Sequence, residues 1–317
     1  MKWKSNISGN FFMNNEIQEK SFAAKAKDEI CLISADLPTC CYHAMSYGLL
    51  LCGRSFSSSS MMIVTEHEGT AHLYAQVVAS IIGTQPPVKV SESGKYSVSV
   101  SDKADRLKVL SAFGISEKTV SVRINRANIA DECCHAAFVR GAFLGCATLT
   151  SPQKSYQLEF LLPYLHLADD LLNLLQELNV TPKMVRRRSS YVIYIKKSEV
   201  IEDLLMTIGA QKSALEIMEI KIEKDMRNKI NRKVNFETAN IDRSVAAATE
   251  QREAIRKLRS DNRFDDLPDE LKELAELREE YPEASLKELG SLLSVSLSRS
   301  GIYHRLNKIV SIANSAE

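Results

Sequence analysis

Two stretches of the chain, CCYHAMSYGLLLCG at 40–53 and CCHAAFVRGAFLGC at 133–146, align without a gap at a shift of 93 residues. A long-period repeat constrains the fold strongly, because each copy has to be one structural unit with the same element order. The alignment pairs Cys40 with Cys133, Cys41 with Cys134, Ala44 with Ala137 and Gly48 with Gly141. The stretches downstream of the two copies also keep step. After the first come a β-like run at 61–66, a helical stretch at 70–82, strand-like runs at 88–91 and 95–101, and a helix at 103–113. After the second, the same order falls at 156–161, 165–178, 183–188, 191–196 and 199–208. With one strand directly after the leading helix, each unit reads α-β-β-α-β-β-α.

In each copy the leading helix carries a glycine, Gly48 or Gly141, inside an apolar stretch. Glycine there costs about 1 kcal/mol against alanine, so a packing reason is expected: it lets a second helix approach closely. The two leading helices should therefore face each other. A pseudo-twofold pair of such units, over about residues 28–208, resembles the LAGLIDADG homing-endonuclease fold. That resemblance implies an α+β domain whose sheets cradle DNA and whose helix ends carry acidic residues that hold a divalent metal. Here the aligned positions are Gly53 and Cys146, with Leu51 and Leu144 two residues earlier. Glycine offers no side-chain ligand, and a thiol is a soft ligand that suits Mg²⁺ poorly. The expectation is no nuclease activity, no catalytic residue, and no metal or other cofactor.

The seven cysteines (31, 40, 41, 52, 133, 134 and 146) are odd in number and include two adjacent pairs. An oxidised framework is therefore not expected, and a reducing cytosol is. Cys40, Cys41, Cys133 and Cys134 would converge across the pseudo-twofold, with His43 and His135 nearby. Adjacent cysteines lack the C-x₂-C spacing of ordinary structural zinc, and free cysteine packs as a small hydrophobe. Core packing is the preferred reading of these residues over a zinc site.

Length and composition bound the rest. A core usually stops growing before about 250 residues, so 317 residues make two or three domains. Lys and Arg number 41 against 40 Asp and Glu, so any affinity for nucleic acid must come from where the charges sit. No stretch approaches the roughly 18 apolar residues of a membrane span, and residues 1–20 lack the apolar core of a signal peptide. Within 183–197 lie Lys183, Arg186, Arg187, Arg188, Lys196 and Lys197, with no acid and with Tyr191 and Tyr194 among them. Such a hairpin suits nonspecific contact with phosphates through Lys183, Arg186, Arg187, Arg188 and Lys196; a solvated edge that resists aggregation accounts for the same letters. Residues 221–263 hold 12 Lys and Arg against 7 Asp and Glu, a basic connector that favours helix. Its several Asn residues are candidates to cap or break that helix.

The pattern restarts near Phe264. Pro268 suits the first turn of a helix whose apolar face is Leu271, Leu274, Ala275 and Leu277, and Tyr281-Pro282-Glu283 ends it. Ser285 and Glu288 form a capping box opening a second helix with Leu286, Leu289, Gly290 and Leu293. After a turn at 294–297, Ser298 caps a third, 299–310, with Ile302, Leu306 and Ile309 inward. Three short helices with a tight turn between the last two read as helix-turn-helix. Residues 264–297 carry 3 Lys and Arg against 10 Asp and Glu, while 298–310 carry 3 against none. Only the third helix is fit to approach DNA. Arg299 and Ser300 are the first candidates to read bases, with Ser298, Tyr303, His304, Arg305 and Lys308 completing the surface. A helical module that binds no DNA would also fit the three-helix pattern.

The order of a degenerate LAGLIDADG-like tandem, a basic connector and a terminal helix-turn-helix resembles the WhiA family of bacterial regulators. The residues that carry this are CCHAAFVRGAFLG (133–145), KSYQLEF (154–160), NRKVNFETAN (231–240), SLKELGSLL (285–293) and SLSRSGIYHRLNKI (296–309). The resemblance implies a DNA-binding transcriptional regulator linked to cell division, chromosome organisation or sporulation, cytoplasmic and nucleoid-associated, with a catalytically dead nuclease-like domain. Double-stranded DNA is the expected partner, with protein partners through the tandem domain. The competing readings are a divalent-metal DNA endonuclease, and a protein- or ligand-sensing adaptor whose DNA contact is nonspecific. The division expected is an extension at 1–20, repeats at 21–125 and 126–220, a connector at 221–263 and the helix-turn-helix at 264–317. The extension departs from the family pattern and is read as reflecting an upstream start codon.

Overall fold

The computed structural model describes residues 20–117 and 121–315; the expected N-terminal extension, apart from Lys20, lies outside them. The chain divides into two compact units, one up to Glu223 and one from Lys224, a few residues past the expected end of the second repeat.

In the first unit the duplication is complete. Helix α1 (Phe22–Ile33), opened by Ser21 accepting the Ala24 N–H at 3.2 Å, precedes the first copy and has no equivalent in the sequence pattern. The first copy then runs α2 (Thr39–Leu51), β1 (Ser55–Phe56), β2 (Met61–Thr65), α3 (Glu68–Ile82), β3 (Val88–Val90), β4 (Tyr96–Ser99) and α4 (Lys103–Ala112). The second runs α5 (Glu132–Cys146), β5 (Ala147–Leu149), β6 (Leu158–Leu162), α6 (Leu165–Glu177), β7 (Lys183–Arg187), β8 (Ser190–Ile195) and α7 (Ser198–Ile208). Both sheets are antiparallel with equivalent strand orders, β1-β2-β4-β3 and β5-β6-β8-β7.

The seam between the copies is α2 against α5. A Cβ added to Gly48 would lie 2.2 Å from the Phe138 carbonyl oxygen, and one added to Gly141 would lie 2.0 Å from that of Met45. Met45 and Phe138 are themselves equivalent under the repeat, so the contact is reciprocal. No real Cβ tolerates such distances, and only glycine permits this approach. Around the seam Tyr47, Leu49, Leu50, Phe138, Val139 and Phe143 are fully buried. The Tyr47 hydroxyl accepts the Asn125 N–H at 2.8 Å and donates to the Arg123 carbonyl at 3.3 Å, tying the inter-repeat segment to the core.

Residues 211–260 form one helix, α8 (Gln211–Ser260), with no break at Asn231, Asn235 or Asn240. The connector is helical as expected, and its asparagines, candidates to cap or break it, do neither. The segment contains no glycine or proline, and an exposed asparagine costs at most about 0.7 kcal/mol in a helix interior, too little to end it. In the second unit, Ala254, Ile255 and Leu258 at the end of α8 share a core with α9 (Asp269–Glu280), α10 (Leu286–Leu292) and α11 (Arg299–Asn314). The Ser285–Glu288 capping box is present, with Ser285 N–H donating to Glu288 at 2.7 Å.

Candidate nucleic-acid interface

Helix α11 is positioned by contacts at both ends and along its buried face. Ser298 caps it by accepting the Gly301 N–H at 3.3 Å, and Ile302, Leu306 and Ile309 are fully buried. At the far end the Arg263 guanidinium donates to the Ile312 and Ser315 carbonyls, satisfying acceptors that a helix C-terminus leaves open. The turn before α11 is tight: Leu297 N–H donates to the Gly290 carbonyl at 3.2 Å, and a Cβ on Gly290 would sit 2.4 Å from the Leu297 oxygen. Glu273 on α9 accepts the N–H and hydroxyl of Ser294 at 2.6 and 2.9 Å, pinning the turn. That second anchor has no local signature in the sequence, because it joins residues far apart in the chain.

The exposed surface of α11 carries Ser298, Arg299, Ser300, Tyr303, His304 and Lys308. Tyr303 and His304 meet edge to face with ring centroids 5.8 Å apart. Arg305 departs from this group. Its guanidinium lies 2.5 Å from Glu270 of α9, and its side chain is 29% exposed. An acid across the helix pair, absent from the local sequence window, turns Arg305 toward the scaffold. Among the described residues neither Arg299 nor Lys308 has an ion-pair partner.

The hairpin β7–β8 is split by its register. Lys183 and Arg187 lie on the sheet face of Glu159, Leu161 and Tyr194, whereas Arg186 pairs with Tyr191 on the face where Leu158, Phe160 and Leu162 are buried. Arg187 is held by Glu159 at 3.2 Å, Arg188 occupies the turn at φ 56°, and Lys196 stands 5.4 Å from the Tyr194 ring centroid. Alternation along a strand sends Arg186 and Arg187 to opposite faces, but on this edge strand Lys183, Arg186, Arg187 and Arg188 are all exposed.

Where α2 and α5 end, a cleft of about 850 Å³ opens, lined by residues that include Cys52, Gly53, Cys146 and Thr148. Among the described residues lining it, Lys27, Arg54 and Lys95 are cationic, and the one acid, Glu66, is paired with Lys95 at 3.1 Å. Burial pulls the Lys27 amine below its ordinary value, against the opposing influence of Cys146, Cys31 and Glu66. The hydrogen bond with Cys146, together with burial, pushes the Cys52 thiol well up. This donor set does not suit a hard divalent cation.

His67, on the cleft wall, caps α3: its Nδ1 accepts the Thr70 N–H at 3.0 Å, and its Nε2–H donates to Asp28 of α1 at 3.0 Å. Burial lowers its pKa despite Asp28, so the folded protein holds the ring neutral. The unfolded chain takes up the proton first, near pH 6.5, so the stabilisation is present above that pH and is lost as pH falls through the lower folded value. The melting temperature should fall on acidification below about pH 6.5, and a His67→Asn variant should lose that part of the dependence. An unchanged pH profile in the variant would refute the assignment.

Comparison with known proteins places these features together. Residues 135–227 match the WhiA LAGLIDADG-like domain, and residues 230–313 match the WhiA C-terminal HTH domain. The chain is 36% identical over 304 residues to a probable cell division protein WhiA of Ruminiclostridium cellulolyticum, covering 92% of this chain and 97% of that one. It is 37% identical over 307 residues to the namesake of Clostridium beijerinckii, covering 92% and 98%. The chain belongs to the WhiA family. The crystal structure of full-length DUF199/WhiA from Thermotoga maritima has the same fold, at a TM-score of 0.55 and 22% identity over 93% of this chain and 98% of that one. The paired repeats are therefore a degenerate LAGLIDADG-like domain, and the WhiA HTH domain takes in the second half of α8 together with α9, α10 and α11, starting at residue 230 and not at the expected 264. The WhiA relatives are named as cell division proteins, not as enzymes. Among the described residues no helix is long and apolar enough to cross a membrane.

Proposed function

We propose that this WhiA-family chain is a sequence-specific DNA-binding transcriptional regulator linked to cell division, chromosome organisation or sporulation, and that it acts without nuclease chemistry. The observation that carries the reading is the acid-free outer surface of α11, where Arg299, Ser300, Tyr303, His304 and Lys308 stand exposed on a helix fixed by its cap, its turn and its buried face. A helix so held presents its N-terminal donors to the major groove, while the acidic face of α9 is repelled by the DNA backbone. Lys183, Arg188 and Lys196 supply further nonspecific contacts from the tandem domain. Carboxylates do not replace Gly53 and Cys146 at the helix ends, which supports binding without cleavage.

The test is selection from a randomised duplex library with Mg²⁺ present, followed by anisotropy over a salt series and inspection of the DNA for nicks. An enriched motif on intact DNA is expected. Lys308→Ala should weaken binding to all sequences and reduce the log–log salt slope by about one, as for loss of one phosphate contact. Binding without any motif, or nicking abolished by chelator, would overturn the proposal.

A further inference from the structure

The α2–α5 seam has a second end, opposite the cleft. Cys40 approaches its own repeat equivalent, Cys133, at the start of the helices, while Cys52 approaches Cys146 at their finish, so the two helices run parallel. Their first turns therefore converge, and both carry adjacent cysteines. The sulfurs of Cys40, Cys41, Cys133 and Cys134 all lie within 4.8 Å of one another, with Cys40 to Cys133 and Cys40 to Cys41 each at 4.0 Å.

These distances are close to those of a tetrathiolate metal. Tetrahedral Zn²⁺ with bonds of about 2.3 Å spaces its sulfurs roughly 3.8 Å apart, so closing the cluster takes shifts of no more than about 1 Å. The lack of a C-x₂-C spacer excludes a site built by one segment around one edge loop. Here each helix supplies only one edge of the tetrahedron, and the fold supplies the other four. Core packing explains Cys41 and Cys134, which are buried, but not Cys40 and Cys133, which face solvent and would give an ion its way in. The expectation that all four are packing residues is corrected to that extent.

The electrostatics also fit. Four thiolates around Zn²⁺ leave two net negative charges, and two parallel helix N-termini each present about half a positive charge to them. Arg140 lies near enough to Cys41 to interact with its charge. Asp131 and Glu132, exposed beside the second pair, act in the opposite sense. An all-sulfur donor set rejects Mg²⁺ and Ca²⁺ in favour of a soft or borderline ion. We propose that Cys40, Cys41, Cys133 and Cys134 form a tetrathiolate zinc site that bolts the two repeats together across their pseudo-twofold axis.

The full-length protein, purified under reducing conditions and dialysed, should contain one zinc ion per chain by inductively coupled plasma mass spectrometry. Replacing zinc with Co²⁺ should give near-ultraviolet sulfur-to-metal charge-transfer bands and the intense visible bands of tetrahedral coordination. Cys40→Ser/Cys133→Ser changes only exposed side chains, and circular dichroism checks that the variant is folded; its metal content and cobalt spectrum should be lost. Cys146→Ser should keep both. The proposal is overturned by a wild-type protein that takes up neither metal, by cobalt bands that survive in the double variant, or by a Cys40–Cys133 disulfide whose reduced thiols bind no metal.

Discussion

Gly141→Ala is expected to destabilise the tandem domain by about 3 kcal/mol, the upper end of what overpacking a close-packed core costs. At roughly 2–4 °C per kcal/mol for a domain of this size, its transition in scanning calorimetry should fall by about 6–12 °C. The cause is steric: the new methyl group would lie 2.0 Å from the Met45 carbonyl oxygen and 2.6 Å from the Leu49 nitrogen. Those are backbone atoms, so no rotamer change relieves the clash; the helices must separate and open the core around Phe138 and Leu49. Gly48→Ala should act alike, since its methyl group meets Phe138 in the mirrored position. Gly301→Ala provides the contrast. Its Cβ would meet nothing closer than 3.6 Å, and the loss of backbone freedom in the unfolded chain should raise stability by about 0.5–1 kcal/mol. A tandem-domain transition unmoved by Gly141→Ala would mean that the two helices do not meet at this point.

Arg299→Ala should lower affinity for the selected duplex by about 10- to 100-fold, the equivalent of losing one good bidentate base contact, while nonspecific binding changes little. Arg299 stands in the first turn of α11, where a recognition helix reaches base edges, and no acid competes for its guanidinium among the described residues. Arg305→Ala makes the informative comparison. Its side chain is spent on Glu270, so the loss should appear as a change of less than about 1 kcal/mol in stability and a smaller fall in affinity than at Arg299. The opposite ranking, with Arg305 dominating affinity and Arg299 silent, would sink the placement of the reading surface at the helix start.

The features legible in the sequence are those with a local signature. The repeat announces itself through the paired cysteines and glycines, and Ser285, Glu288 and Ser298 mark helix starts that the structure keeps at those positions. The features that escape a sequence reading depend on partners brought from elsewhere in the chain. Arg305 looks free until Glu270 crosses to it, and Arg187 looks like its neighbours until Glu159 on a nearby strand engages it. The hairpin charges are legible as a count but not as a surface, because a shift of one residue in register exchanges the faces. Asparagines in α8 mislead for a different reason: their preference for turns is weak beside a long stretch with no helix breaker.

The reciprocal glycine contacts also bear on how two halves of one chain can drift apart in lettering while remaining joined. Each glycine touches the partner helix's main chain, which is the same whatever side chain is attached. Positions flanking the contact have accordingly diverged in kind, with Met45 answering Phe138, Tyr47 answering Arg140 and Leu49 answering Ala142. A junction made through side chains would have required matched changes in both copies at every step. One made through bare backbone asks each copy to keep only its small residues, Gly48 in the first and Gly141 and Gly145 in the second, and leaves the rest of its surface free to acquire separate duties.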